Sequence, residues 1–448
     1  MAAIFLWTSA TTTHLTDPDD RLMSSTSART MSSHDAASEL LSEAPLPIVR
    51  SPMLDNRGQL VAYELLFHRN ELGPEAEATL MRRLLATITD GVMTRLLRGN
   101  RAFLRLSRDW LVEQPDVLAH HPRLGIIVDP TSINDEVLMS RLQQMAQRGC
   151  SLLLDLSELD ANADEPYGNL EPLLVIANSV RLDAGALDAS TLALRCRELH
   201  ARGLDVIAGF VDDYEIYNRC KHLPVQAIQG RYLLLPEQFE IPVLTASRVS
   251  VLRLMNALQE NNPGPVELGE IIRDDAVLSY KLLGCVNSAY FALPRQLKSI
   301  QQAAIFFGVA RMRNWIYTMA LGGMDDRPPE LLRAALIRAH MCEQLVQDMP
   351  GGYQDMAFMA GLLSLLDTLM CAPMAFVLSH LPVAPEIHAA LVEGSGPLAP
   401  PLRQIYIWEA GEFGADAQPQ DIERMSAIYL ESTEWADQVY NFANKEAY

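Results

Sequence analysis

Six apolar runs in the first half of the chain end on or beside a polar residue: Glu64, Arg105, Asp129, Asp155, Asp183 and Gln229. Carboxylates gathered at one place can hold a divalent cation through hard oxygen ligands. An Asp at the end of a strand can equally cap the loop or helix that follows. The stretch SLLLDLSELD, residues 151 to 160, poses that choice directly, because Asp155 is followed by Leu156 where a second polar group is expected. Either reading holds for one Asp taken alone. Several polar groups around one rim favour a site, or the relic of one.

The elements that must position these residues are visible in the pattern around them. From about residue 47 a unit repeats: a short apolar, β-branched run, a polar residue, then a helical stretch. The runs are QLVAYELLF (59–67), AFLRLS (102–107), RLGIIVD (123–129), SLLLDL (151–156), SVRLD (179–183), LDVIAGFV (204–211) and VQAIQGRYLL (225–234). Near-continuous apolarity indicates strands covered on both faces, hence a parallel sheet with crossover helices. Units of roughly 25 to 30 residues fit a (β/α) barrel, whose sites form at the C-terminal ends of its strands.

After LLLPEQFEIP the texture changes. TASRVSVLRLMNALQEN, LGEIIRDDAVLSYKLLGCVNSAYF, SIQQAAIFFGVARMRNWIYTMAL and PELLRAALIRAHMCEQLVQDM are each apolar at helical spacing, which predicts an all-α second half. ENNPGPVEL reads as a turn between its first two helices. Residues 406–448 carry nine acidic side chains against two basic ones and include the amphipathic stretch DIERMSAIYLESTEWADQVYNF, whose charge reads as a solvated face. The expected organisation is a flexible leader over 1–45, a barrel over 46–238 and a helical domain over 239–448. The leader holds fifteen Ser or Thr and no sustained apolar period.

Composition narrows the function classes. The 448 residues suffice for two domains with cores of their own. The formal charge of −20 opposes binding to phosphate backbones, so no direct nucleic-acid partner is expected. No window approaches roughly 18 uninterrupted apolar residues, so no membrane partner is expected either. MAAIFLW lacks the basic start and long apolar stretch of a signal peptide, which makes cytoplasmic location the expectation. The six cysteines lie far apart without a C-x-x-C pair and are expected to be reduced core residues.

The succession SPMLDNRGQLVAYELLF, LRLS, LLLDL, VRLD, VIAGFVD and IQGRYLLLP resembles the EAL-domain family of cyclic di-GMP phosphodiesterases, in the divergent form whose first motif reads Y-E-L-L-F. The second half resembles the HDOD domain through IIRDDAVLSYKLLGCVNSAYF, LKSIQQAAIFFGVARMRNWI and FMAGLLSLLD. Together they are similar to the tandem EAL–HDOD signalling proteins of bacteria, over roughly residues 47 to 440. The resemblance implies an EAL-type (β/α) TIM-like barrel followed by an all-helical domain.

Active EAL enzymes hold two divalent ions that activate a water for attack on a phosphodiester. Glu64 matches the Glu that names the family. The Asn ligand of the next strand motif is Arg105, which sets a guanidinium where a dication belongs. GIIVDP offers only Asp129 for the E-x-x-E motif. Asp155 keeps the first Asp of D-D-F-G, but the second is Leu156. The Lys that positions the attacking water is Arg181, followed by the retained Asp183, and an Arg fork is not equivalent to a Lys. The late Glu is the shorter Asp212. Gln229 and Gly230 survive near the guanine-contacting end.

The resemblance therefore implies a vestigial site of Glu64, Arg105, Asp129, Asp155, Arg181, Asp183 and Asp212, with no metal, no cofactor and no hydrolysis. Arg105, with Arg181, is expected to neutralise the remaining carboxylates. HDOD domains are related to metal-dependent HD phosphohydrolases, and here Ser364 and Leu365 stand where the His-Asp pair belongs. Asp367 and His340 complete that vestigial set, and a lone helical His reads as an ordinary partly buried side chain. Asn287 and Ser288 read as the end of a helix, and Gly308, Arg311, Arg313 and Trp315 as a second helix junction. The leading reading is a non-catalytic signalling protein acting through other signalling proteins. An alternative keeps cyclic di-GMP binding without hydrolysis, through Gln229, Gly230, Arg105 and Arg181. An active phosphodiesterase ranks third.

Overall fold

In a computed structural model of the chain, eight strands close into a barrel in sequence order. They are β1 (Ile48–Leu54), β2 (Leu60–Phe67), β3 (Arg101–Arg105), β4 (Leu124–Val128), β5 (Ser151–Asp155), β6 (Ser179–Asp183), β7 (Asp205–Gly209) and β8 (Ala227–Ile228). The structure describes residues 48–67, 84, 92–113, 121, 123–159, 167–235, 245–260, 263–273, 275–288, 293, 295–324, 327–350, 352–411 and 419–443. The expected leader over 1–45 and the expected boundary at 238/239 lie outside these residues.

The barrel is parallel except at β1, which pairs antiparallel with both β2 and β8. The sequence pattern anticipates seven parallel strands and misses β1, whose run IVRSPML is interrupted by Arg50, Ser51 and Pro52. A tight turn joins β1 to β2. The Asp55 carboxylate accepts from the Arg57 and Gln59 amides at 2.8 Å each, and Gly58 takes a left-handed φ of 75°. At the other end, VQAIQGRYLL yields only two strand residues. Gly230 sits so close to the loop after β7 that an added Cβ would lie 2.0 Å from the Val211 carbonyl oxygen, and Arg231–Leu234 turns into a 3-10 helix.

Strand alternation decides which side chains enter the barrel. Met53, Ala62, Phe103, Ile127, Leu153, Ile207 and Ala227 form the interior core. Two residues further along the parallel strands stand Glu64, Arg105, Asp129, Asp155, Gly209 and Gln229. The polar ring is thus the next inward layer above an apolar floor. The helices between strands are capped by other acids: Asp135 accepts from the Val137 and Leu138 amides, Asp188 from Ser190 and Thr191, and Asp213 from Ile216.

The described residues between 246 and 443 are mainly helical as expected, with two refinements. LGEIIRDDAVLSYKLLGCVNSAYF divides into Pro265–Arg273 and Ala276–Val286, because Asp275 caps the second helix through the Leu278 amide. SIQQAAIFFGVARMRNWIYTMAL divides into Ile300–Phe307 and Val309–Gly322 at Gly308, whose φ is 88°. Asn287 ends its helix as expected and staples the following loop, accepting from the Leu297 amide at 2.7 Å and donating to the Leu283 and Leu297 carbonyls at 2.9 Å each. Phe291 and Pro294 lie outside the described residues. At that junction Trp315 is buried, and Arg311 pairs with Glu343 at 2.7 Å.

The halves share a core. Val49 and Leu54 of β1, with Leu233, pack into the hydrophobic cluster of the helical domain. All six cysteines are free and buried. Among the described residues, no helix is long and apolar enough to cross a membrane.

Candidate functional site

Arg181, on β6, is the hub of the barrel mouth. Its Nη1 donates to Glu64 Oε2 at 2.5 Å and to Gln229 Oε1 at 3.3 Å. Its Nε and Nη2 take Asp155 as a fork, at 3.2 and 2.5 Å. Asp155 also accepts from Arg105, which bonds Asp129 as well, and from the Ser157 amide at 3.2 Å. The Gln229 amide group donates to Glu64 Oε2 at 2.7 Å and to Ser51 Oγ at 3.1 Å. Two arginines therefore serve three carboxylates in one connected network.

The network is buried at its centre and open at its edge. Arg181, Asp155 and Glu64 are 4%, 5% and 6% exposed, whereas the Asp129 side chain is half exposed. Burial alone raises the Asp155 pKa, but the hydrogen bonds and charge of Arg181, aided by Ser157 and Arg105, outweigh it and hold the carboxyl below its ordinary range. Burial likewise opposes the Arg181 charge, and Asp155 and Glu64 more than restore it. Such ion pairs recover their desolvation cost only with near-complete hydrogen bonding, which the fork to Asp155 and the bond to Glu64 supply.

The backbone makes room for this guanidinium. Gly209 faces the Arg181 stem, and a Cβ there would lie 2.8 Å from its Cδ and 2.9 Å from its Cγ. The next residue, Phe210, adopts a φ of 55° that a non-glycine residue rarely takes, and its ring lies 5.4 Å from the Arg181 guanidinium while remaining 45% exposed.

Two acids of the expected set stand apart. Asp183 accepts from the Gly185 and Ala186 amides at 2.8 Å each, so it closes the loop after β6. Asp212 accepts from the Arg231 amide at 3.0 Å and pairs with the Arg231 side chain at 3.6 Å. Gly230, beside it, serves the close approach to Val211 described above.

In the helical set Ser364 and Asp367 both lie near Arg338, whereas His340 is turned to another helix. Ser364 accepts from Arg338 Nη1 at 3.2 Å, and Arg338 forks onto Glu409 with its shortest contact at 2.7 Å. Asp367 accepts from the Thr368 amide at 2.7 Å, and burial raises its pKa. His340 faces the Pro419–Ala443 helix instead, with Nδ1 2.9 Å from Ser432 Oγ and its ring stacked on Trp435. Burial, reinforced by the Arg311 charge, lowers the His340 pKa to about 4.

A second polar cluster, which the sequence reading misses, joins the halves. Glu330 Oε1 accepts from Arg98 Nη2 at 2.6 Å and from Arg333 Nη1 at 3.0 Å, while its Oε2 accepts from the Tyr63 hydroxyl at 3.0 Å. Asp437 pairs with Arg50, Arg98 and Arg333 at 3.4, 3.3 and 3.2 Å. Asp437 lies in the stretch read as a solvated acidic face, yet it is 9% exposed. Tyr63 and Glu64 are consecutive on β2, so alternation sends one to this cluster and the other to the barrel mouth. Adjacent on β1, Arg50 and Ser51 divide in the same way.

A cavity of about 460 Å³ lies between the two clusters. Its walls include Glu64, Arg181 and Gln229 from the barrel and Glu330, Arg333 and Tyr429 from the helical half.

Comparison with known proteins follows the same division. Residues 244–376 match the HDOD domain family. The uncharacterized protein YuxH of Bacillus subtilis is 24% identical over 404 residues, covering 87% of this chain and 97% of that protein. The cyclic di-GMP phosphodiesterase CdgJ of Vibrio cholerae is 23% identical over 408 residues, covering 88% of this chain and 92% of that protein. Among solved structures, the EAL domain of FimX from Pseudomonas aeruginosa bound to c-di-GMP is similar at 16% identity and a TM-score of 0.35, over 46% of this chain and 98% of that one. The chain joins a closed eight-stranded barrel to a helical half that carries the match to the HDOD domain family.

Proposed function

We propose that this protein is a non-catalytic signalling protein of the cyclic di-GMP systems, in which an arginine–carboxylate network replaces the metals of an EAL phosphodiesterase and the output passes to protein partners. The observation that carries this reading is Arg181 bonded to Glu64 and Asp155 at once. The donor set does not fit two divalent ions. Each ion needs several oxygen ligands, and here Glu64 and Asp155 already bond Arg181, with Arg105 on a second side of Asp155. A cation entering this layer meets two fixed positive charges, since an arginine does not deprotonate in a protein.

A role through partners draws support from the helical half, where Tyr280, Ile305 and Phe306 expose 57%, 68% and 56% of their surface on helices that pack together. Titration calorimetry with Mg²⁺ and with Mn²⁺ tests the reading. No heat of micromolar binding is expected, and micromolar affinity for either ion sinks it.

A second reading retains cyclic di-GMP as a bound signal without turnover. The specific observation in its favour is the cavity beside Arg181 and Gln229, with Arg231 and the exposed Phe210 on its rim. Arginine suits phosphate and an aromatic face suits a base, and the relative CdgJ, named as a cyclic di-GMP phosphodiesterase, gives the ligand to try. Calorimetric titration with cyclic di-GMP in the absence of metal separates this reading from the first.

A further inference from the structure

The cavity at the barrel mouth has a second wall that does not belong to the barrel. On one side stand Glu64, Arg181 and Gln229, and on the other Ala334, Ile337 and Ala410. Ala334 and Ile337 lie on the Pro329–Leu345 helix and Ala410 ends the Ala399–Ala410 helix. A volume of about 460 Å³ falls within the range typical of small-molecule sites, which form preferentially where domains meet.

We infer that the helical domain completes the ligand site, so that a nucleotide phosphodiester held at the barrel mouth bridges both halves of the chain. The inference rests on the second reading above and adds to it which residues read the ligand and what binding reports. The arginines on the cavity wall and the exposed Phe210 ring supply phosphate and base recognition on the barrel side. On the helical wall Ala334, Ile337 and Ala410, which stand beside the charged Glu330, Arg333 and Glu409, supply the shape against which the rest of the ligand packs.

The same geometry ties the site to the docking of the domains. Glu64 lines the cavity from inside the barrel, and the neighbouring Tyr63 donates to Glu330 across the interface. Ser51 holds Gln229, and the neighbouring Arg50 holds Asp437. A phosphate that draws Arg181 from Glu64 acts on the two-stranded ribbon that carries the interdomain contacts. Binding at the mouth and the fit of the helical domain are then two readouts of one event, and coupling between them is reciprocal.

The test is calorimetric titration of the full chain with cyclic di-GMP, without added metal, for three variants beside the unmodified protein. Ala410→Trp and Ala334→Trp fill the cavity from the helical wall; Ala410 is exposed, so its variant is expected to fold even where Ala334→Trp does not. Val266, exposed in the helical half outside the cavity, gives the control Val266→Trp. The expected result is a loss of roughly tenfold or more in affinity for the wall variants, with Val266→Trp unchanged. In hydrogen exchange, cyclic di-GMP is expected to alter protection along 329–345 in the unmodified protein. Unchanged affinity in Ala410→Trp overturns the inference and leaves ligand binding by the barrel standing. No binding by the unmodified protein overturns both.

Discussion

Replacing Arg181 by Met removes the hub while nearly preserving its volume, and the consequence follows from what is left behind. Glu64 retains the Gln229 amide, and Asp155 retains Arg105 and the Ser157 amide. Both carboxylates remain about 95% buried, at 6% and 5% exposure. Breaking one partner out of a buried ion pair costs about 3–5 kcal/mol. At about 2–4 °C per kcal/mol for a domain of this size, the barrel transition falls by roughly 6–20 °C. The pH dependence gives the sign. In the native protein Asp155 has a folded pKa below its unfolded value, so its contribution is present above the unfolded value and is lost as pH falls through the folded one. In Arg181→Met the main stabilising charge at Asp155 is gone, so the deficit against the native protein is largest at neutral pH and shrinks as acid neutralises Asp155. Denaturant unfolding at pH 7 and at pH 4.5, followed by barrel circular dichroism, measures both. A second change, Glu64→Gln in the Arg181→Met background, should recover part of the loss, because it removes a buried charge that has lost its partner. A loss under about 0.5 kcal/mol, or strictly additive single changes, refutes the account of the network.

Three further outcomes follow from other parts of the structure. Gly209→Ala sets a methyl 2.8 Å from the Arg181 stem and should cost about 1–3 kcal/mol by overpacking, read in the same unfolding assay. Glu330→Gln leaves Arg50, Arg98 and Arg333 gathered around Asp437 alone, so hydrogen exchange along 329–345 and 419–443 should accelerate while that of the barrel strands holds. His340 has a folded pKa of about 4 against an unfolded value near 6.5, so the helical half should lose about 3 kcal/mol as pH falls from 6.5 to 4; His340→Gln should flatten that slope.

Much of the barrel is legible in the sequence because its physics is local. Near-continuous apolar runs mark the parallel strands, and period-2 alternation puts Glu64, Arg105, Asp155 and Gln229 on the inside once Ala62, Phe103, Leu153 and Ala227 are taken as core. What the sequence hides is whatever depends on distant partners. β1 escapes because Arg50 breaks its apolar run, and Arg50 is tolerated there because partners distant in sequence meet it, the Leu96 carbonyl at 2.7 Å and Asp437 at 3.4 Å. Asp183 reads like Asp155 in its strand, yet it lies past the mouth layer and turns to the backbone amides of Gly185 and Ala186. The split of the helices at Gly308 has a local signal, a glycine amid helical periodicity. The interdomain cluster has none beyond charged residues, Glu330 and Arg333, near the start of a mostly apolar helix.

The measurement that bears most directly on the central claim is chromatography of cyclic di-GMP incubated with the 448-residue chain and excess Mg²⁺ or Mn²⁺. With Arg181 and Arg105 seated among the carboxylates, the nucleotide should be recovered intact at every protein concentration. Linear dinucleotide formed in proportion to protein, and abolished by Glu64→Ala, would contradict the account.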